Sequence, residues 1–407
     1  MTNVLNWLTV LVLGASLLFR NPALFLLGLL LALAAGATAL WDHYALAEVT
    51  YTRRLGTQRL FVGEETEVSV DLVNAKPLPL AWLKAEDEWP AGVALVRGRL
   101  QQSYKPERRV LVNLLSMRFY ERVRKQYRVR ALRRGVQDFG PVTLKSGDMF
   151  GFRTQTQQLP QIERLLVYPR VVPVAALGLD SARPFGDARM RRKIAEDPLR
   201  IMGVRPYAPG DNPRYVHWKA TARRGELQTK VFEPGAARAA AIFLNLNTVA
   251  GHPGVITDYL EYAITAAASL AHNVLDAREP AGLYVNGPRR NEFGLVRLPP
   301  SRRPERWEEI LDALAWLVGL PSADFARLLR AEMAHLPYGA SVIAVTSVLS
   351  ESILAAGLDL RSAGHPVTLV VIGDKAPAGV PDELDARWIG GHEAFRKLAE
   401  LDLRPCR

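Results

Sequence analysis

The sequence predicts a multidomain chain with an N-terminal transmembrane helical hairpin, a β-sandwich-like module and a C-terminal α/β doubly wound domain. Three observations predict it. Two uncharged apolar runs open the chain, period-two alternation follows, and nearly continuous apolar strands then alternate with helical periodicity. The boundaries read 1–41 for the hairpin, 48–175 for the β-rich module, 176–238 for a basic connector and 239–407 for the α/β domain. A length of 407 residues suits several domains of the usual ~150 residues each.

In the hairpin, residues 4–19 carry no charge, Arg20-Asn21-Pro22 interrupts, and 23–41 is apolar again. Neither run shows a polar stripe, and Arg20-Asn21-Pro22 has turn chemistry. Trp7 and Trp41 stand near the ends of the runs, where interfacial indoles belong. A buried soluble hairpin is disfavoured by apolarity on all sides. A cleaved signal peptide does not normally carry a long apolar run before its charged region. Arg53, Arg54 and Arg59 follow the second run, so the positive-inside rule puts both termini and the body in the cytoplasm of a multi-pass inner-membrane protein, with lipid bilayer around 4–41.

In the β-rich module, 67–73, 108–114 and 126–130 alternate as half-buried strands, punctuated by Gly63, Gly135, Gly140-Pro141 and Gly147-Asp148. Residues 118–134 are basic, with Tyr120 and Tyr127 interleaved. They read as a solvated strand face in preference to a lipid or nucleic-acid surface. In the connector, 189–193 is a second basic run. The chain has Lys+Arg 52 against Asp+Glu 41, a net charge of +11, which favours anionic partners. The single cysteine, Cys406, excludes an internal disulfide and a multi-cysteine metal centre.

The most distinctive text is 203–233. Pro209-Gly210 suits a type II turn. Asp211 or Asn212 is expected to cap a helix that starts near Pro213, runs through Arg223 and ends at Gly225. A strand follows to Glu233. Arg205, Tyr207, Pro209, Gly210, Asp211, Arg214, His217, Trp218, Lys219, Arg223, Gly225 and Glu233 form one candidate binding set of unassigned role. Three readings of it remain open: a structural network, an anion or partner site, and catalysis. No nucleophile elbow, Walker loop or zinc-peptidase pattern accompanies it, so no catalytic or metal residue is assigned.

These residues, in the pattern Arg-x-Tyr-x-Pro-Gly-Asp, Arg-x-x-His-Trp-Lys-Ala, Ala-Arg and Gly-Glu-Leu, resemble the signature of the bacterial family called domain of unknown function 58. Residues 147–151 resemble a turn of the same family, with Met149 where proline is common. The resemblance implies membrane anchoring and a C-terminal part similar to a von Willebrand factor A domain. It also implies a setting beside MoxR-type AAA+ ATPases, with no assigned reaction. In such domains an Asp-x-Ser-x-Ser motif often holds a divalent metal. Here the first strand ends Asn245-Leu246-Asn247-Thr248-Val249 and a later one Thr346-Ser347, neutral groups that suit magnesium poorly, so no cofactor is expected.

The C-terminal part reads strand at 239–246, helix at 256–278, strand at 281–286 and at 293–298, helices at 305–318 and 324–334. Strands at 342–345 and 367–372 then flank a helix at 351–363. The expectation is a non-enzymatic protein-interaction or assembly factor that works with a MoxR-type AAA+ ATPase or envelope-assembly proteins. A membrane-tethered nucleic-acid binder and a hydrolase or transferase of unknown substrate are the alternatives.

Overall fold

The computed structural model describes residues 2–147, 154–175, 196–208, 211, 213–234, 239–250 and 254–406. The chain divides into two compact units, Met1–Arg170 and Val171–Arg407.

The first unit opens with helices α1 (Thr2–Leu18) and α2 (Pro22–Tyr44). Arg20 turns the chain at φ 49°, and Asn21 Oδ1 accepts the Ala23 amide at 2.9 Å, which caps α2. The helices pack closely at Gly28, where a β-carbon would stand 2.6 Å from Leu13 Cδ2. The transmembrane assignment of this hairpin is corrected. Among the described residues, no helix is long and apolar enough to cross a membrane. α1 has 17 residues and so rises only about 25 Å, short of the ~30 Å hydrocarbon layer. Apolarity on all sides, read from sequence as a bilayer signal, does not supply the length a span needs; the pairing buries one face of each helix and leaves Leu11, Leu18, Leu26 and Leu33 exposed. The bilayer contact through 4–41 and the multi-pass placement drew their support from that assignment. The architecture is a sheet-rich body preceded by short helices.

The strands of this unit are β1 (Val49–Leu55), β2 (Arg59–Phe61), β3 (Glu65–Asn74), β4 (Leu80–Pro90), β5 (Val93–Leu95), β6 (Gln101–Gln102), β7 (Arg108–Met117), β8 (Arg122–Ala131), β9 (Gly135–Phe139), β10 (Val142–Gly147), β11 (Thr154–Leu159) and β12 (Glu163–Tyr168). They form sheets of order β1-β3-β8-β5, β11-β10-β4-β7-β6 and β2-β12-β9. Period two puts Val68, Val70 and Leu72 of β3 inside, where Val70 and Leu72 meet Leu83 and Ala85 of β4 and Leu144 of β10 in one apolar layer. One polar knot crosses the interior. Asp87 accepts hydrogen bonds from Arg53 Nη1, from Tyr51 Oη at 2.8 Å and from Trp89 Nε1 at 2.7 Å. Arg53 Nη2 donates to the Phe139 carbonyl at 2.8 Å.

The second unit begins with strand β13 (Glu196–Pro206), a 3-10 turn at Pro213–Tyr215, helix α3 (Trp218–Arg224) and strand β14 (Gln228–Pro234), which pairs antiparallel with β13. Then come β15 (Ala240–Leu244), α4 (Thr257–Asp276), β16 (Ala281–Val285), β17 (Val296–Ser301), α5 (Arg306–Ala315) and α6 (Phe325–Met333). β18 (Ser341–Thr346), α7 (Glu351–Ser362), β19 (Val367–Val371), β20 (Asp385–Trp388), α8 (His392–Arg396) and β21 (Arg404–Pro405) complete it.

The large sheet runs β17-β16-β15-β18-β19-β20-β21. Its pairs from β16 to β20 are parallel, and both edge pairs are antiparallel. Alternate residues of β15 feed opposite faces. Ala240, Ile242 and Leu244 pack with α4 and α5, while Ala241 and Phe243 pack with α6 and α7. The strand β17 starts three residues later than the alternation of 293–298 suggests. The sheet also gains β20 and β21, which sequence periodicity does not signal because each has four residues or fewer.

Candidate functional site

The signature set folds into the β13–α3–β14 hairpin, and its carboxylate is spent inside it. Arg205 grips Asp211 with both terminal nitrogens, Nη1 to Oδ2 at 2.8 Å and Nη2 to Oδ1 at 2.6 Å. The Ala208 amide donates to Asp211 Oδ2 at 2.9 Å, and Tyr207 Oη donates to the Asp211 carbonyl at 2.9 Å. The Arg205 guanidinium, seconded by the Ala208 amide, holds the Asp211 carboxyl below the usual carboxylate range. A charge-assisted bidentate pair of this kind closes the turn between β13 and the following helical segment.

The expected single helix from Pro213 to Arg223 is corrected. The chain makes a short 3-10 turn, Val216 then bridges to Thr229, and a separate helix starts at Trp218. The cap of this helix is His217, not Asp211: His217 Nδ1 accepts the Ala220 amide at 3.1 Å. The physical reason is competition. Asp211 is drawn to Arg205, and the His217 amide donates to the Gln228 carbonyl at 2.7 Å, so extended backbone at 216–217 interrupts the helix. Gly225 ends α3 as expected, at φ 74° with its amide on the Thr221 carbonyl at 2.9 Å.

The structure thus joins Arg205, Tyr207 and Asp211 in one clasp and puts His217 and Gly225 at the two ends of α3. Trp218 is 71% exposed at the first position of α3. Lys219 and Arg223, four residues apart and exposed, share a helix face, and Arg214 is exposed on the preceding turn. Glu233 lies in β14. Pro209, Gly210 and Asn212, the turn at 148–151 and the basic run 189–193 lie outside the described residues. Chemically, this arrangement holds a rigid platform that presents an indole and several cations. Among the described residues it aligns no nucleophile with a base.

The carboxyl ends of the parallel strands carry a second polar group. Asn245 Nδ2 donates to Thr346 Oγ1 at 3.0 Å, and Asn286 Nδ2 donates to Asn245 Oδ1 at 2.9 Å. Asn286 Oδ1 accepts the Leu246 amide at 2.8 Å, and Asn247 Oδ1 accepts the Gly254 amide at 3.2 Å. These side chains are neutral and their acceptor oxygens serve loop amides, so they do not fit a hard divalent cation. Among the described residues no group of three His, Cys, Asp or Glu could hold a metal ion.

Sequence reasoning missed a third cluster on the same edge. A cavity of about 730 Å³ is lined in part by Tyr262, Asp374, Trp388, Gly391 and His392. Asp374 accepts from Tyr259 Oη at 2.8 Å and from the His392 amide at 3.0 Å, while His392 Nδ1 lies 2.7 Å from Asp258. The signal was Gly390-Gly391 just past a four-residue strand. A β-carbon at Gly391 would strike the Asp374 carboxylate.

The hairpin and strands β15 to β20 of the large sheet fall within the stretch that comparison picks out. Residues 203–388 match the family described as protein of unknown function DUF58. The DUF58 match begins inside β13 and ends on the last residue of β20. The chain is also 26% identical over 343 residues to the uncharacterised protein YeaD of Bacillus subtilis (strain 168), covering 84% of this chain and 79% of that one. Two solved structures overlap a part of the chain. A cohesin module of a Clostridium perfringens glycoside hydrolase does so at 12% identity and TM-score 0.21, covering 29% of this chain and 96% of the module. Escherichia coli alpha-2-macroglobulin does so at 15% identity and TM-score 0.23, covering 34% and 9%. Overlap that slight carries no argument about function.

Proposed function

We propose that this chain is a non-enzymatic protein-interaction factor whose signature hairpin docks a MoxR-type AAA+ ATPase or an assembly partner. The α/β unit serves it as a von Willebrand factor A-like platform without a metal. One observation carries the reading: Arg205, Tyr207 and Asp211 of the signature satisfy one another, while Trp218 stands exposed. Indole and arginine side chains dominate docking energetics when a partner buries them. A carboxylate saturated by arginine is a poor general base, which weighs against hydrolase or transferase chemistry. An ATP-driven partner implies an encounter in the cytoplasm.

The nucleic-acid alternative draws less support. Arg122 and Arg124 both bind Asp71, and Arg130 binds Glu65, across the β3–β8 pair. The basic stretch is therefore largely engaged in its own sheet.

Trp218→Ala should weaken capture of the ATPase at least tenfold in a pulldown or calorimetric titration, with an unchanged circular dichroism spectrum. Capture as tight as that of the parent chain would remove the hairpin from the interface. Steep loss of DNA or RNA binding with added salt would favour the nucleic-acid reading instead.

A further inference from the structure

The chain carries a net charge of +11, and it answers its enclosed carboxylates with arginine. Asp71, Asp87, Asp211 and Glu332 each pair with one. The cavity past the ends of β19 and β20 departs from that habit. Four carboxylates line it, Asp374, Glu393, Glu400 and Asp402, against the two cations Lys397 and Arg404. Arg404 Nε donates to Asp402 Oδ2 at 2.8 Å. Among the described residues, Asp374, Glu393 and Glu400 pair with no lysine or arginine. His392, which also lines the cavity, turns its Nδ1 to Asp258.

Asp374 is fixed in place without being neutralised. Its two oxygens accept the Tyr259 hydroxyl and the His392 amide, both uncharged donors. They hold the carboxyl below its usual range, so the negative charge persists. Trp388 is fixed as well, since its Nε1 donates to the Gly373 carbonyl at 2.7 Å. The Arg404 guanidinium lies 6.0 Å from the centre of that indole while it bonds Asp402. One wall of the cavity therefore already seats a cation between an aromatic face and a carboxylate.

We propose that this cavity binds an aliphatic polyamine, an alkyl chain carrying several ammonium groups. Its volume of about 730 Å³ falls among small-molecule sites, which span ~300–1,000 Å³. The spread of the carboxylates selects the kind of cation. Among the described residues no three such groups converge enough to hold a metal ion, so one small ion does not satisfy them together. Ammonium groups spaced along a chain reach them one at a time, each through a charge-assisted hydrogen bond. Tyr262, Trp388 and Leu398 line the same space and offer apolar surface to the methylenes between the charges. A phosphate or carboxylate ligand would instead meet three uncompensated like charges.

Calorimetric titration of the full-length chain with spermidine at low salt should show one saturable site. Asp374→Asn keeps an oxygen for the His392 amide, and the Tyr259 hydroxyl can turn to accept from the new amide. This variant should bind spermidine at least tenfold more weakly. So should the Glu393→Gln, Glu400→Gln pair, whose side chains are exposed and whose exchange should leave the circular dichroism spectrum unchanged. Glu351→Gln, on the exposed start of α7, should bind as the parent does. Magnesium at equal total charge should not displace spermidine, and an N-acetylated trilysine amide of the same charge should bind at least tenfold more weakly. The proposal is overturned by the lack of a saturable site, by parental affinity in the Asp374 or Glu393 and Glu400 variants, or by an equal loss in Glu351→Gln. Displacement by magnesium, or a trilysine peptide that binds as tightly, overturns it too. The cavity shares no residue with the signature hairpin, so failure here leaves the docking reading intact and the reverse also holds.

Discussion

Asp87 is wholly buried, and its two oxygens receive an arginine, a phenol and an indole. Burial and the adjacent Asp87 charge push the Tyr51 phenol well above its usual range, so it stays a donor at any working pH. Asp87→Ala leaves Arg53, 1% exposed, charged with only the half-buried Glu163 carboxylate near it, at 3.7 Å. Urea unfolding of the full chain should show a loss of about 3–5 kcal/mol for the transition that reports the β-sheets. The Arg53→Met, Asp87→Leu pair should recover much of that loss. Lys76 is a contrasting case. Its ammonium donates to the Ala45 and Ala47 carbonyls at 2.8 and 2.7 Å, fastening the chain between α2 and β1. Burial lowers its pKa to about 8 from the ordinary 10.5, with Glu48 opposing. Between those values the unfolded chain binds more protons than the folded one, so this group makes stability rise as pH climbs from 8 to 10.5. The penalty is fully present below pH 8. Stability measured across that window should rise more steeply in the parent chain than in Lys76→Met.

At the scale of elements, α3 shows how seven residues hold a defined helix. His217 caps its first turn and Gly225 its last. Gly225→Ala puts a β-carbon on a left-handed residue and should cost about 1 kcal/mol, read as a lower melting temperature with Trp218 still exposed. Asp211→Ala should act differently. It frees Arg205 and the Ala208 amide together, so partner capture should fall even where helix content is kept. The parallel sheet has an analogous bond set in Asn245, Asn286 and Thr346. Asn286→Ala strands the Leu246 amide and should cost about 1–3 kcal/mol in denaturant unfolding. The expected strands and helices of this sheet were legible because long apolar runs and helical spacing leave few alternatives. The structure breaks the helix expected from Pro213 because a cap is a contest between donors: Arg205 takes the Asp211 carboxylate, and the Gln228 carbonyl takes the His217 amide.

For the whole molecule, the two compact units divide at 170 and 171, five residues before the stretch assigned from sequence to a connector. Val172 explains the early start of the second unit. It is 5% exposed in the α/β core, and its amide donates to Ser269 Oγ at 3.0 Å. Val174 bridges to Leu401. A fragment 171–407 should therefore be more stable than 176–407 by about 2 kcal/mol, the worth of one buried valine, in chemical unfolding. Equal stability would contradict that role for residues 171–175.

Sequence by itself determined the local periods: two apolar helices, alternating strands, then apolar strands between helices. It also singled out the signature, because Pro, Gly, Asp and Trp at fixed spacing constrain backbone and chemistry within a few residues of each other. Tertiary structure decided what those periods pack against. Whether an apolar helix meets lipid or another helix is decided by length and neighbours, which hydropathy does not encode. It likewise decided that Asp211 serves Arg205, that three amides and hydroxyls close the sheet edge on themselves, and that β11 is left at the end of its sheet. The sheet-edge outcomes depend on groups far apart in the chain, such as Asn245 and Thr346, while the Asp211 clasp is a contest among donors a few residues apart.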